Sequence, residues 1–367
     1  MEDEIIIPAN IPYHIPQIAL WGPQSSGKSW LLFAFQRRVR MIDEYLKRGL
    51  INQDFRISLS ARDIDVKDDD LSQPPPATQE IITKRILFQR NMIPSKSSVR
   101  MSLQHRVNTH SHEIKVMDNQ GQMLVPDISL KQKNGNSEEH ANLQKSDDDA
   151  MKRVEAALDF VVRSQNIIVV LDSKEEKENS KFKISEKIKK FLDDNVLRSG
   201  RKYNIAFCLT KVDALGELDI QGSSDDAVQS FLIRQLGSRE QEKILGLVQE
   251  LQQDGHEARL FATSACGYIY IQDTRKRVPN LKFSGDNNNN NNSSIMDPEG
   301  WKPEGVEKPF FWLLEKIEKN RISQIEQNGN GYEKVLWKSP MKADRMGHYL
   351  SYESILHYAD MGERKSN

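Results

Sequence analysis

The sequence predicts an α/β fold with a mostly parallel sheet covered by helices on both faces, and three features of the chain point there. NIIVVLD at residues 166–172 and NIAFCLT at 204–210 are apolar runs that do not alternate with polar residues, as expected of strands buried on both faces. QIALW at 17–21 runs directly into a glycine-containing turn and then a helix. In that helix Leu31, Leu32, Phe35, Val39, Ile42 and Leu46 recur at three- and four-residue spacing, the stripe a helix packed on a sheet must present. Charged or polar helices are expected near 185–197, 225–236 and 239–254, and strands separated by helices favour parallel pairing.

Between the first helix and the strand HEIKVMD at 112–118 the chain changes character. Residues 51–76 hold the acidic run DIDVKDDD and end on Pro74, Pro75 and Pro76, whose fixed φ and missing donors rule out a continuing helix; the whole stretch reads as a loop. Two segments of extended character follow, ITKRILFQR and VRMSLQHRV. Residues 131–149 carry too little apolar material to offset the entropy of ordering them and read as a mobile insertion. A helix is expected to restart at Ala150, with Val154, Ala157, Leu158 and Val161 on its apolar face. A further strand is expected at ARLFAT, 258–263, and the last strong helix spans about 308–324, where Phe311, Leu314 and Ile317 can cover the sheet.

These elements suggest one domain over 1–325, enlarged by insertions near 51–76, 131–149 and 273–306, the last containing the asparagine run 287–292. Residues 326–367 form a tail whose aromatics, including Tyr332, Trp337, Tyr349, Tyr352 and Tyr358, either pack back onto the body or meet a partner. With 52 Lys and Arg against 53 Asp and Glu, the formal charge of -1 gives no specific signal for nucleic acid or an anionic membrane. The acidic start, MEDEIIIPANIPYHIP, is unlike a secretory signal, and no apolar run approaches the roughly 20 residues of a membrane span, so a cytoplasmic protein with no transmembrane segment is expected. Cys208 and Cys266 read as reduced, packed thiols.

The chemistry begins in GPQSSGKS, which fits the pattern GxxxxGK[ST] over Gly22, Pro23, Gln24, Ser25, Ser26, Gly27, Lys28 and Ser29. The glycines let the backbone curl so that its N–H groups face a phosphate, Lys28 reaches the β- and γ-phosphates, and Ser29 offers a hydroxyl to Mg²⁺. The positive end of the following helix adds to the attraction. Together with its flanking strand and helix, this turn predicts a P-loop nucleotide-binding fold.

With DNQG at 118–121 after EIKVM, TKVD at 210–213 after a buried strand and TSAC at 263–266 after another, the chain resembles the translation-factor and Ras-like GTPase superfamily. The motif spacing and TKVD, together with the asparagine-rich segment, give it a further likeness to stand-alone bacterial GTPase-like proteins. The resemblance implies GTP or GDP with Mg²⁺. It also implies that Asp118 holds the metal through water, that the Gly121 amide touches the γ-phosphate, and that Gln122 orients the attacking water. Asp213 would accept hydrogen bonds from guanine N1–H and the 2-amino group, a donor pattern adenine lacks, while the stem of Lys211 covers the ring. Thr210 stands where the family has asparagine and keeps a hydroxyl able to tether the phosphate loop, with fewer bonds than an amide. Ser264 and Ala265 match the family's SAK-type loop, with the Ala265 N–H offered to guanine O6 and Cys266 in place of lysine. Thr78, in PPPATQ, is assigned as the switch threonine that gives Mg²⁺ a hydroxyl, with Thr83 as runner-up.

The function so implied is slow GTP hydrolysis by Lys28, Thr78 and Gln122, coupled to a switch read by a protein effector or activating partner. A nucleotide-binding interaction module without productive hydrolysis and an adenine-specific P-loop ATPase are the alternatives.

Overall fold

The computed structural model describes residues 17–22, 26–50, 55–63, 82–94, 109–118, 159–173, 184–196, 200–215, 238–271, 276–283, 293–294, 297, 300–328 and 351–364. Among the described residues seven strands make the main sheet: β1 Gln17–Trp21, β2 Phe55–Asp63, β3 Ile82–Pro94, β4 Thr109–Asp118, β5 Asn166–Asp172, β6 Asn204–Thr210 and β7 Glu257–Ala262. Their spatial order is β2-β3-β4-β1-β5-β6-β7. From β4 to β7 all pairings are parallel, whereas β3 runs antiparallel to β4 and β2 antiparallel to β3. The result is a mixed α/β architecture with a mostly parallel sheet.

The non-alternating apolar runs divide cleanly between the two faces of that sheet. Ile18 and Leu20 of β1, Ile168 and Val170 of β5, and Ala206 and Cys208 of β6 join one buried cluster. Ala19 and Trp21, Ile167, Val169 and Leu171, and Ile205, Phe207 and Leu209 join the other. Because successive side chains of a strand point to opposite faces, a strand covered on both sides must be apolar throughout, and β5 is buried at every position. Helices α1 Lys28–Gly49, α4 Glu307–Asn328 and α5 Tyr352–Arg364 cover the first face. Helices α2 Ile184–Phe191 and α3 Ser238–Gln253, with a helical stretch over 159–164, cover the second. A π-helical turn, Leu192–Val196, extends α2. No helix among the described residues is long and apolar enough to cross a membrane.

The stretch 51–76 is not a loop throughout, because β2 occupies Phe55–Asp63 within it. Ile57 and Leu59 are buried while Ser58 and Ser60 between them are half-buried, the two-residue alternation of a strand with one covered face. Apart from Asp63, which ends β2, the acidic and proline-rich residues that suggested a loop follow this strand in sequence. On the edge of the sheet, the Leu59 N–H donates to Asp43 Oδ1 of α1 at 2.9 Å, so part of the open strand edge is closed by a helix side chain.

The C-terminal helix α5 packs on the body through Tyr352. Its ring lies 4.8 Å from that of Phe311, its hydroxyl donates to Glu318 Oε1 at 2.7 Å, and the Arg90 guanidinium sits 5.0 Å from its ring centroid. Arg90 and Glu318 form a buried ion pair at 3.0 Å, so β3, α4 and α5 share one polar junction inside an aromatic core. Tyr332, Trp337 and Tyr349 lie outside the described residues, as do the segments VRMSLQHRV, 131–149, 225–236 and 287–292 and the expected helix start at Ala150. Residues 273–306 contain the short strands β9 Lys276–Pro279, β10 Lys282–Phe283 and β11 Ser293–Ser294; β9 pairs with β8, Tyr268–Ile271.

Candidate functional site

Parallel strands deliver their carboxyl ends to one edge of the sheet, and in open α/β sheets ligands bind outside that edge. Here Gly22 follows β1, Asp118 ends β4, Asp172 ends β5, Thr210 ends β6, and Thr263 and Ser264 follow β7. The antiparallel register places Ile82, the first residue of β3, opposite Asp118, and Thr83 opposite Met117. The chain therefore enters β3 beside the end of β4, with Thr78 four positions earlier and outside the described residues.

The turn between β1 and α1 requires glycine at both ends. A Cβ on Gly22 would come 2.3 Å from the Val170 carbonyl oxygen, so no side chain fits where β1 passes β5. Gly27 has φ of +90°, the left-handed region, and caps α1, whose first turn contains no acidic residue. The buried Lys28 Nζ donates to the Gly22 carbonyl at 3.0 Å, so the ammonium folds across the turn. Ser26 is fully buried and its hydroxyl has no hydrogen-bond partner among the described residues. An interior hydroxyl of this kind carries a desolvation cost that an incoming acceptor or donor would relieve. Ser29 is half-buried next to Lys28. Pro23, Gln24 and Ser25 are outside the described residues.

The loop after β6 is tied to this turn. Thr210 Oγ1 lies 2.6 Å from the Ser26 carbonyl oxygen and 2.9 Å from that of Leu171, and its one proton is shared between them. Lys211 adopts φ of +56°, an uncommon conformation for a residue with a Cβ. Its carbonyl accepts from Ser173 Oγ at 2.9 Å, and its ammonium pairs with Asp172. The Lys211 stem crosses the turn closely enough that a Cβ on Gly27 would be 3.9 Å from Lys211 Cε.

Asp213 is buried and its Oδ1 accepts from Ser264 Oγ at 2.7 Å, while the same Ser264 oxygen accepts from the Gly267 N–H at 2.9 Å. Burial raises the Asp213 carboxyl above its ordinary value, against the opposing pull of the Ser264 and main-chain hydrogen bonds and of Lys211. A carboxylate so placed still has lone pairs for outside donors. Ala265 is half-buried, its carbonyl accepting from Trp301 Nε1 at 3.0 Å.

Burial pushes the Cys208 thiol up to about 12, and the sulfur contacts Thr263 Oγ1 at 3.4 Å. Burial first, and then the charge of Asp213, also raises the Cys266 thiol. Both are free thiols with little thiolate character.

The fold thus brings Gly22, Ser26, Gly27, Lys28, Ser29, Thr210, Lys211, Asp213, Ser264 and Ala265 to one edge of the sheet, with Asp118 at the end of the strand beside β1. Gly121 and Gln122 lie outside the described residues. Sequence reasoning missed Asp172, Ser173, Trp301 and Glu304. Asp172 carried a visible signal, an acid closing an otherwise apolar strand; Trp301 and Glu304 carried none.

No family model and no curated protein matches the chain. Among solved structures it is similar to a chain of the signal recognition particle receptor SRb-GTP/SRX complex from Chaetomium thermophilum. That match has 13% identity and a TM-score of 0.31, covering 69% of this chain and 92% of that one. It is also similar to a putative nucleolar GTP-binding protein 1 from Plasmodium falciparum, with 12% identity, a TM-score of 0.29, and coverage of 89% of this chain and 97% of that one.

Proposed function

We propose that this chain is a Mg²⁺-dependent guanine-nucleotide-binding protein of P-loop type that hydrolyses GTP slowly and acts as a switch for a protein partner. The observation that carries the proposal is the Thr210 hydroxyl, 2.6 Å from the Ser26 carbonyl. It joins a GxxxxGK[ST] turn directly to the loop that holds a buried, acceptor-rich carboxylate, Asp213. A phosphate-binding half and a base-reading half thereby become one rigid site.

The residues suit the ligands assigned to them. Lys28, the glycine-lined turn, the Ser26 hydroxyl and the acid-free start of α1 suit a polyphosphate. Hard oxygen donors suit Mg²⁺, and Ser29, Thr78 and Asp118 are the residues proposed to hold it, Asp118 through water. When bound, the ion neutralises charge on the phosphate oxygens. Lys28 stabilises the triphosphate, Gln122 orients the attacking water, and the Gly121 amide registers the γ-phosphate. At the other end Asp213 accepts from N1–H and the 2-amino group of guanine, Lys211 lays its stem over the ring, and Ala265 donates its N–H to O6. Loss of the γ-phosphate releases the segment around Thr78 and Gly121, and a protein partner reads that change.

A binding panel of GTP, GDP and ATP with and without Mg²⁺, paired with single-turnover hydrolysis, tests the proposal. GTP and GDP are expected well ahead of ATP, with slow cleavage that a partner accelerates. Tighter ATP binding would refute the role of Asp213, and tight GTP binding without cleavage in any condition would make the chain an interaction module.

A further inference from the structure

We propose that the segment Trp301 to Glu304 positions the base-reading loop, and that the Trp301 indole N–H sets how strictly the site demands oxygen at the purine 6-position; this rests on the guanine-binding reading above. Ser264 and Glu304 form an isolated antiparallel bridge in which each N–H donates to the other's carbonyl at 2.9 Å. The Ser264 carbonyl belongs to the same peptide plane as the Ala265 N–H. In a trans peptide these two groups point in opposite directions, so anchoring the carbonyl to Glu304 aims the Ala265 N–H away from Glu304. Trp301 Nε1 then fixes the next peptide plane through the Ala265 carbonyl at 3.0 Å. Held at both planes, the Ala265 amide has its direction set by contacts within the protein.

Trp301 is itself immobilised. It is 1% exposed, its ring stacks on Phe33 with centroids 5.4 Å apart, and the Arg37 guanidinium lies 5.7 Å from its centroid. Phe33 and Arg37 belong to α1, the helix that starts at Lys28. One side chain therefore spans from the helix behind the phosphate-type turn to the backbone of the base-reading loop. The surrounding chain is built to hold it there. A Cβ on Gly267 would come 2.0 Å from the Lys302 carbonyl oxygen, so the chain leaving the loop is in direct backbone contact with the chain returning to it. The excursion between them is closed by the buried Asn280, whose side-chain amide donates to the Asp297 carbonyl at 3.0 Å and accepts from the Asp297 N–H at 2.8 Å.

Two nucleotides separate the two readers of the base. 6-Thioguanosine triphosphate keeps N1–H and the 2-amino group but offers sulfur, a weak acceptor, at position 6. Inosine triphosphate keeps the 6-oxygen and lacks the 2-amino group that Asp213 accepts. Equilibrium binding of GTP, ATP and both analogues is to be measured for the parent chain and for Trp301→Phe, which keeps an aromatic ring on Phe33 and removes the donor. The parent is expected to prefer GTP over the 6-thio analogue by about tenfold, as for one good hydrogen bond. Trp301→Phe should shrink that ratio to within about twofold while leaving the GTP to inosine triphosphate ratio unchanged. A merely structural role would move both ratios together, and an unchanged 6-position ratio would overturn the proposal outright. A parent chain with no preference for GTP over ATP would sink the guanine reading as well. Should Trp301→Phe lose its cooperative thermal transition, benzothienylalanine at 301 keeps the bicyclic shape with sulfur in place of N–H and is read against the same two ratios.

Discussion

Asp213→Asn separates the cost of a buried charge from its use. In the parent, the carboxylate has four acceptor sites; Ser264 Oγ takes one at 2.7 Å and the residue's own main-chain N–H takes another, leaving two for the N1–H and 2-amino donors of guanine. The variant keeps an oxygen for one donor and sets an NH₂ group against the other. One charge-assisted bond is lost and a donor faces a donor, which together cost about 2–4 kcal/mol, or roughly thirtyfold to a thousandfold in GTP affinity. Xanthine has an oxygen where guanine has the 2-amino group, so xanthosine triphosphate should bind the variant more tightly than it binds the parent. Stability should move the other way. Burial raises the folded-state carboxyl value, so the Asp213 contribution to stability is present below the unfolded value and lost as pH rises through the folded one. Above the folded value the nucleotide-free parent carries an ionised group in a poorly solvating site, and there Asp213→Asn should melt no lower than the parent, with the difference closing as pH falls. Isothermal titration with GTP, ATP and xanthosine triphosphate, together with nucleotide-free melting curves at pH 4 and pH 7.5, reads both effects. An unchanged GTP to ATP ratio, or no gain for xanthosine triphosphate, would remove Asp213 from base recognition.

Three further outcomes are expected. Lys28→Ala should weaken triphosphate binding by at least about a hundredfold, the loss of roughly 3 kcal/mol of charge-assisted bonding; GTP titration with normal affinity would contradict it. Gln122→Leu should leave equilibrium GTP binding nearly intact and slow single-turnover cleavage at least about tenfold, or roughly 1.4 kcal/mol; cleavage at the parent rate, alone and with an activating partner, excludes the assignment. Glu318→Ala deprives the buried Arg90 and the Tyr352 hydroxyl of a shared carboxylate and should cost about 3–5 kcal/mol in urea unfolding; a change under about 0.5 kcal/mol would show that this junction is not a structural anchor.

What the sequence made legible is what is encoded locally. The turn from Gly22 to Ser29 is a contiguous pattern, and β5 and β6 announce themselves because a strand covered on both faces has no polar positions to spare. The single-residue apolar alternation in β2 was also present, but the acidic and proline-rich residues after it dominated the longer stretch. Asp172 was visible as a strand-closing acid, whereas its pairing with Lys211 depends on two strands lying side by side. Trp301 and Glu304 were illegible for a stronger reason. Their partners Ala265 and Ser264 are reached only after the chain leaves β7, makes two short antiparallel pairings and returns. No local periodicity encodes such a closure.

If residues 210–213 read guanine as proposed, Thr210 supplies a hydroxyl in place of the amide that the resemblance implies. A threonine has one proton to give, so Thr210 alone cannot satisfy the Ser26 and Leu171 carbonyls as fully as an amide with two donors. The neighbouring backbone is held by other means: Ser173 Oγ fixes the Lys211 carbonyl, and Asp172 anchors the Lys211 ammonium. On the far side Glu304 and Trp301 fix the loop after β7. These contacts lie within the protein, and on the proposed guanine-binding reading they order the base-reading loops in advance, which lowers the cost of binding. Asp213 is a buried carboxyl raised by burial, with acceptor capacity beyond its bond from Ser264. On the proposed reading, the ties to Ser264, Glu304 and Trp301 hold the remaining Asp213 lone pairs where the guanine edge would present its donors.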